Sequence, residues 1–181
     1  MSKQLAALGN GTPHMAINLS PKQFSDPELV DSIARVLAEE GLPPEMLELE
    51  LTESLLLEAT DETRQQLIGL KALGVTLAMD DFGTGYSSLS YLKKFPIDVI
   101  KIDRSFIKDI PGNQDDMEIT SAVIAMARNL RLKVVAEGVE TPEQLAFLRQ
   151  HRCDIGQGYL FDRPIPGNVL LASLGRYPRW A

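Results

Sequence analysis

One cysteine, Cys153, is the only thiol in this chain of 181 residues. No intrachain disulfide can form, which fits a reducing compartment. The only two histidines, His14 and His151, fall at the start of a predicted strand and the end of a predicted helix, so neither a thiolate pair nor a histidine pair is offered to zinc. No apolar run approaches the ~18 residues of a membrane span, and the opening MSKQLAALGNG has no basic region followed by an apolar stretch. The expectation is a cytoplasmic domain, free or within a larger protein with signalling domains upstream.

Basic clusters are also scarce. Lys93-Lys94 and the Arg176/Arg179 tail are the densest, and 25 acidic against 18 basic residues give a net charge of −7. Such a surface repels the phosphate backbone, so duplex nucleic acid is not an expected partner. The spacings GxxxxGK[ST] and GxGxxG do not occur, which excludes a P-loop and a dinucleotide fingerprint.

What the chain does contain is a 44% hydrophobic, 24% charged composition ordinary for a globular protein, with no linker or low-complexity stretch. Residues 1–181 therefore read as a single domain. Apolar runs predict strands over 14–20, 47–52, 76–80, 98–102, 133–137 and 155–160. Amphipathic stretches predict helices from an Asp26 cap with Pro27 in the first turn to Glu40, from 55 or 61 to 73, and over 87–93, 115–130, 141–150 and 167–175. The tail of a further helix falls near residues 3–8. Strand–helix alternation predicts an α/β fold with a parallel sheet. Six strands suit either an open doubly wound sheet or part of a closed barrel, and periodicity does not decide between them.

Every predicted strand ends in polar residues: Asn18; Glu50 and Glu53; Asp80 and Asp81; Lys101 and Asp103; Glu137 and Glu140; Gln157. In parallel α/β folds the C-terminal strand ends form the active face. Any one of these residues could cap a helix or face solvent, but six strands out of six favour a convergent site. Carboxylates with one amide are hard oxygen ligands, which suit Mg2+ or Mn2+. Adjacent Asp80 and Asp81 could each serve a different ion, the layout of a two-metal phosphodiester site. A Schiff-base role for Lys101 is disfavoured, because surrounding carboxylates hold the amine protonated. The glycine segment Asp81-Phe82-Gly83-Thr84-Gly85-Tyr86-Ser87-Ser88 suits either a mobile loop beside the aspartates or a plain tight connection.

The segments INLSPKQF, LELELTES, AMDDFGTGYSSLSYLKKFPIDVIKIDRSFI, ITSAVIAMARNLRLKVVAEGVET and QGYLFDRPIP closely resemble the EAL domain, across nearly the whole chain. The resemblance implies a TIM-like (β/α) barrel whose first strand runs antiparallel to the rest. It implies a phosphodiesterase that hydrolyses cyclic di-GMP to linear pGpG by a two-metal mechanism using Mg2+ or Mn2+. By motif, Asn18, Glu50, Asp80, Asp81 and Glu137 resemble the metal ligands. Glu137 also resembles the proposed general base, and Lys101 the lysine beside the attacking water. Gln157 resembles the glutamine that holds the substrate, while Glu53 and Glu140 resemble loop-anchoring acids.

One departure is large. The Glu-Ala-Leu signature, with its metal-binding glutamate and a nearby phosphate-holding arginine, should stand upstream of Asn18, and it does not occur among the preceding 17 residues. The expectation is therefore an incomplete barrel lacking the family's first two strands, weak or inactive as this chain. Its open edges would favour a homo-oligomer or strand-exchanged dimer. The alternative is a non-catalytic cyclic di-GMP-binding or protein-interaction module.

Overall fold

The computed structural model describes residues 14–57, 60–84, 92 and 94–173, with 57 and 171–173 described by backbone alone. Six strands form one sheet: β1 (Met15–Asn18), β2 (Leu47–Thr52), β3 (Thr76–Phe82), β4 (Val99–Ile102), β5 (Lys133–Glu137) and β6 (Ile155–Gln157). All neighbours are parallel and lie in chain order. A doubly wound sheet reverses its strand order at a switch point, whereas a barrel adds strands in sequence. The sequential order settles that question, and the sheet is an incomplete TIM-like barrel.

The helices are α1 (Pro21–Phe24), α2 (Leu29–Glu40), α3 (Glu53–Leu57), α4 (Asp61–Leu73), α5 (Gln114–Asn129), α6 (Pro142–Gln150) and α7 (Gly167–Ser173). Three of them are set by reciprocal capping. Ser20, Thr60 and Thr141 each accept a bond from the third helical N–H, and the residue at that position bonds back. Gly41 and Gly74 end α2 and α4 in left-handed conformations that a side chain would strain.

Several expected boundaries shift. Asp26 does not cap α2. Its carboxylate accepts the Glu28 N–H at 2.9 Å in a local turn, and the helix starts only at Leu29. The stretch after β2 forms two helices rather than one, and α1 occupies a segment expected to be loop. The sixth strand stops at Gln157, because the Phe161 N–H turns back to the Gly158 carbonyl and the Leu160 N–H to that of Val139. The helices expected over 3–8 and 87–93 lie outside the described residues, Leu92 apart.

Alternation along the strands divides the sheet into two faces. Leu47, Leu49, Leu51, Leu77, Met79, Ile100, Ile102, Val134 and Ala136 join the main core with Leu67, Leu70, Ile124, Phe147 and Leu148 of the helices. A fully buried leucine of this kind contributes about 2 kcal/mol. The opposite face carries a second small cluster, Ala78, Val99 and Val135. By the same alternation Glu48, Glu50, Lys101 and Glu137 belong to that inner face.

The N-terminal strand ends are closed by structural acids. Asp98 accepts both the Leu77 N–H at 2.8 Å and the Lys71 ammonium at 2.8 and 2.9 Å, and Asp154 accepts the Val134 N–H at 2.8 Å. Among the described residues no helix is long and apolar enough to cross a membrane.

Candidate active site

Lys101 is the centre of the inner face. Its Nζ lies 2.6 Å from Glu50 Oε1, 2.6 Å from Glu137 Oε1 and 3.1 Å from Asp80 Oδ1, with the side chain only 5% exposed. Three strands thus send a carboxylate each toward a lysine on a fourth. Burial alone would lower the lysine's pKa. The hydrogen bonds and charges of Glu137 and Glu50 outweigh it and hold the ammonium well above its ordinary value. Lys101 is a fixed cation, and Schiff-base chemistry at this nitrogen is correspondingly opposed.

Desolvation raises the pKa of Glu137 above the usual carboxylate range, and Lys101 only partly counteracts it. Glu48, one pleat deeper, is also raised by burial and by Glu50.

The two aspartates reach the same face through an irregularity. Met79 pairs with Ile100 but Phe82 with Ile102, so β3 spends one residue more than β4 over this stretch. Asp81 takes up the extra residue with a left-handed φ of 55°. Met79 and Phe82 both reach the main core, and the two acids between them are left to the other side. On a regular strand, neighbours would point to opposite faces. Asp81 is exposed, yet partial loss of hydration and then the charges of Asp80 and Asp103 push its carboxyl above the ordinary range.

Asp80 Oδ1 is buried and makes no directed hydrogen bond, although it lies within ion-pair distance of Lys101. A buried carboxylate oxygen without a donor is costly unless a cation completes it. Glu50, Asp80 and Glu137 surround a single ammonium, with Asp81 adding its charge nearby, an excess of negative charge that suits hard divalent cations. Among the described residues no three acids or histidines already close on one shared point, because Lys101 stands between them. The donor set, all carboxylate oxygen, is of the hard kind that suits Mg2+ or Mn2+.

The remaining expected residues frame this centre. Asn18, exposed at the end of β1, is in register with Glu50. Gln157, exposed on β6, is in register with Glu137. Glu53 is buried, and its Oε2 accepts the Gly83 N–H at 3.2 Å, linking α3 to the segment after Asp81. Glu140 pairs with Arg104 at 2.9 Å on the exposed rim. His14 and His151 take no part in the group around Lys101.

Two contributors were not expected from the sequence. Arg104 lies across Gly138, whose φ of +69° and lack of Cβ make room for it. Gln144 is buried beneath the turn that follows Glu137. The spacing Thr141-Pro-Glu-Gln144 announces a capping box, but nothing in it announces the rest of that glutamine's contacts.

Comparison with known proteins agrees with this geometry. The EAL domain family matches residues 1–164. The cyclic di-GMP phosphodiesterase NbdA of Pseudomonas aeruginosa is 50% identical over 177 residues, which is 98% of this chain and 22% of NbdA. The solved PaMucR phosphodiesterase in complex with c-di-GMP is 46% identical, with a TM-score of 0.84 over 90% of this chain and 66% of that one. Klebsiella pneumoniae BlrP1, solved as a manganese/cy-diGMP complex, is 37% identical, with a TM-score of 0.80 over 89% of this chain and 42% of BlrP1. The chain thus spans about a fifth of its curated relative NbdA. With its sequential parallel strands and its acids gathered round Lys101, this chain belongs to the EAL domain family.

Proposed function

We propose that the inner face hydrolyses cyclic di-GMP to linear pGpG with two divalent cations, Mg2+ or Mn2+, and that this chain of 181 residues does so weakly by itself. The observation that carries the reading is the excess of carboxylates around Lys101, with Asp80 Oδ1 making no directed hydrogen bond beside its ion pair. Asn18, Glu50, Asp80, Asp81 and Glu137 would hold the ions, which when bound supply charge for the phosphoryl oxygens and an activated water.

The chain's own residues account for the rest. Glu137, with its raised pKa, is the acceptor for the water's proton during attack on phosphorus. Lys101 cannot lose its proton at neutral pH. It orients Glu137 and Glu50 through hydrogen bonds and offsets negative charge that builds on the phosphoryl group. Gln157, beside Glu137 in register, is placed to bind substrate or hold water. Glu53 holds the segment after Asp81 through Gly83, and Glu140 holds the turn after Glu137 through Arg104.

Weak turnover follows from the sequence, which contains no Glu-Ala-Leu and so no acid from that segment. It follows as well from strands β1 and β6, each paired on one side only among the described residues. Those edges are the surfaces through which the chain would self-associate or exchange strands, and sedimentation over a micromolar concentration series reads this directly.

Calorimetry with cyclic di-GMP and Mn2+, followed by chromatography of the products, tests the function. The expected result is metal-dependent binding with slow appearance of the linear dinucleotide. Binding that persists in EDTA and survives Asp80→Asn would identify a receptor instead of an enzyme.

A further inference from the structure

The pairing of β4 with β5 ends at Ile102 and Ala136. Glu137 therefore stands one residue beyond the last backbone contact with the strand that carries Lys101, its partner at 2.6 Å. Something other than the sheet must hold the two strand exits together. Gln144 spans that gap. Its Oε1 accepts the N–H groups of Glu140 at 2.7 Å and Thr141 at 3.0 Å, in the turn leaving β5. Its Nε2 donates to the carbonyls of Ile107 at 3.1 Å and Lys108 at 3.2 Å, just past the 3-10 turn Arg104–Phe106 that follows β4.

A glutamine that only capped α6 would use its oxygen and leave its amide nitrogen in water. Gln144 is 3% exposed and uses both ends. The Arg104–Glu140 pair joins the same two turns, but on the exposed rim, where solvent weakens it.

We propose that Gln144 is a positioning residue. By tying the end of the 3-10 turn that follows β4 to the turn after Glu137, it sets the separation of Lys101 and Glu137. The consequence for turnover rests on the phosphodiesterase reading above, whereas the consequence for the Lys101 cage does not.

The test compares Gln144→Ala with Thr141→Ala in the full chain. Thr141→Ala removes the other half of the capping box, the Thr141 hydroxyl that accepts the Gln144 N–H at 3.2 Å, and leaves the glutamine side chain in place. The readouts are the 15N-labelled ammonium resonance of Lys101 and the steady-state hydrolysis of cyclic di-GMP with Mn2+. In the unmodified chain the caged ammonium should exchange slowly and give a resolved signal.

Gln144→Ala is expected to shift or broaden that signal and to lower kcat about 10- to 100-fold with little change in KM. Thr141→Ala should lower thermal stability but leave both readouts near those of the parent. Gln144→Asn keeps the amide but is one methylene short of spanning both turns. It should behave like the alanine variant, and it replaces that variant if the latter fails to fold. The proposal is overturned if the glutamine variants keep the parent's ammonium signal, if Thr141→Ala alters that signal equally, or if the parent gives no such signal. A parent chain that shows the signal but never hydrolyses the dinucleotide would sink the phosphodiesterase reading and leave this one standing.

Discussion

Lys101 Nζ and Glu137 Oε1 meet at 2.6 Å although their residues are not opposite one another in the sheet. Lys101 is in register with Val135, so the lysine reaches diagonally along the inner face to an acid two positions further on. A neighbouring-strand diagonal spans roughly 7–8 Å between backbones, which only a long side chain closes. The length of lysine is thus part of the geometry, and arginine or a shorter amine would not reproduce it.

Replacing this lysine by methionine leaves Glu50, Asp80 and Glu137 facing one another without a cation. Lys101→Met should destabilise the metal-free chain by about 3–5 kcal/mol at neutral pH, as expected when one partner of a buried charge cluster is removed. Urea unfolding in EDTA measures this. A change under about 1 kcal/mol would mean that the cage contributes nothing of the kind.

The pH dependence follows from the sign of each shift. Glu137 has a folded pKa above its ordinary 4.5, so the native state holds its proton where the unfolded chain has released it. Stability contributed by this group is therefore lost as pH rises from about 4.5 through the raised folded value. Lys101 has the same sign in a far higher window: its folded value is also raised, so its stabilising effect is complete below 10.5 and is lost only as pH rises above that. Glu137→Gln should flatten the stability profile just above pH 4.5 in chelator. An unaltered slope between the two proteins would contradict the assignment.

Divalent cations should stabilise the chain. At a free Mn2+ concentration of 100 times Kd, a single site adds about 2.7 kcal/mol, read as a rise in the unfolding midpoint that EDTA reverses. Asp80→Asn should abolish most of that rise. Asp98→Asn provides the contrast. It weakens the bonds to Leu77 and Lys71 at the other end of the strands and should lower stability without changing the response to Mn2+.

Gly138 makes a steric prediction. A Cβ there would fall on Arg104 Cγ, and the φ of +69° is itself unfavourable for alanine. Gly138→Ala should cost about 1–3 kcal/mol and part Arg104 from Glu140. Adding Arg104→Ala removes the collisions with Cγ and Cδ but leaves the Cβ contact at 2.8 Å and the backbone strain. The double variant should therefore recover stability only partly, and thermal denaturation of the single and double variants separates the two contributions.

Much of this was legible in residue order alone. Six polar strand ends and period-two apolar runs located the sheet and the face on which Lys101 and its acids gather, because alternation is a local property of the pleat. The bulge was not legible. Asp80-Asp81 read as adjacent acids, and only the partners of Met79 and Phe82 show how both reach one side. Asp26-Pro27 imitated a helix start because a side-chain oxygen two residues before an N–H serves a turn as well as a cap. Gln144 was hidden for a different reason: its amide bonds to carbonyls 36 and 37 positions away, and no local pattern encodes that distance.

The extra residue in β3 also works as punctuation. Upstream of it, odd-numbered positions of the strand face the helices; after it, Phe82 does. Deleting one residue from the aspartate pair would leave Met79 opposite Ile100 and the phenylalanine opposite Ile102 by plain alternation, so the core would keep its reading frame and only one acid would be lost. The irregularity therefore belongs to the inner face alone: it admits a second carboxylate there without moving the oil on the other side.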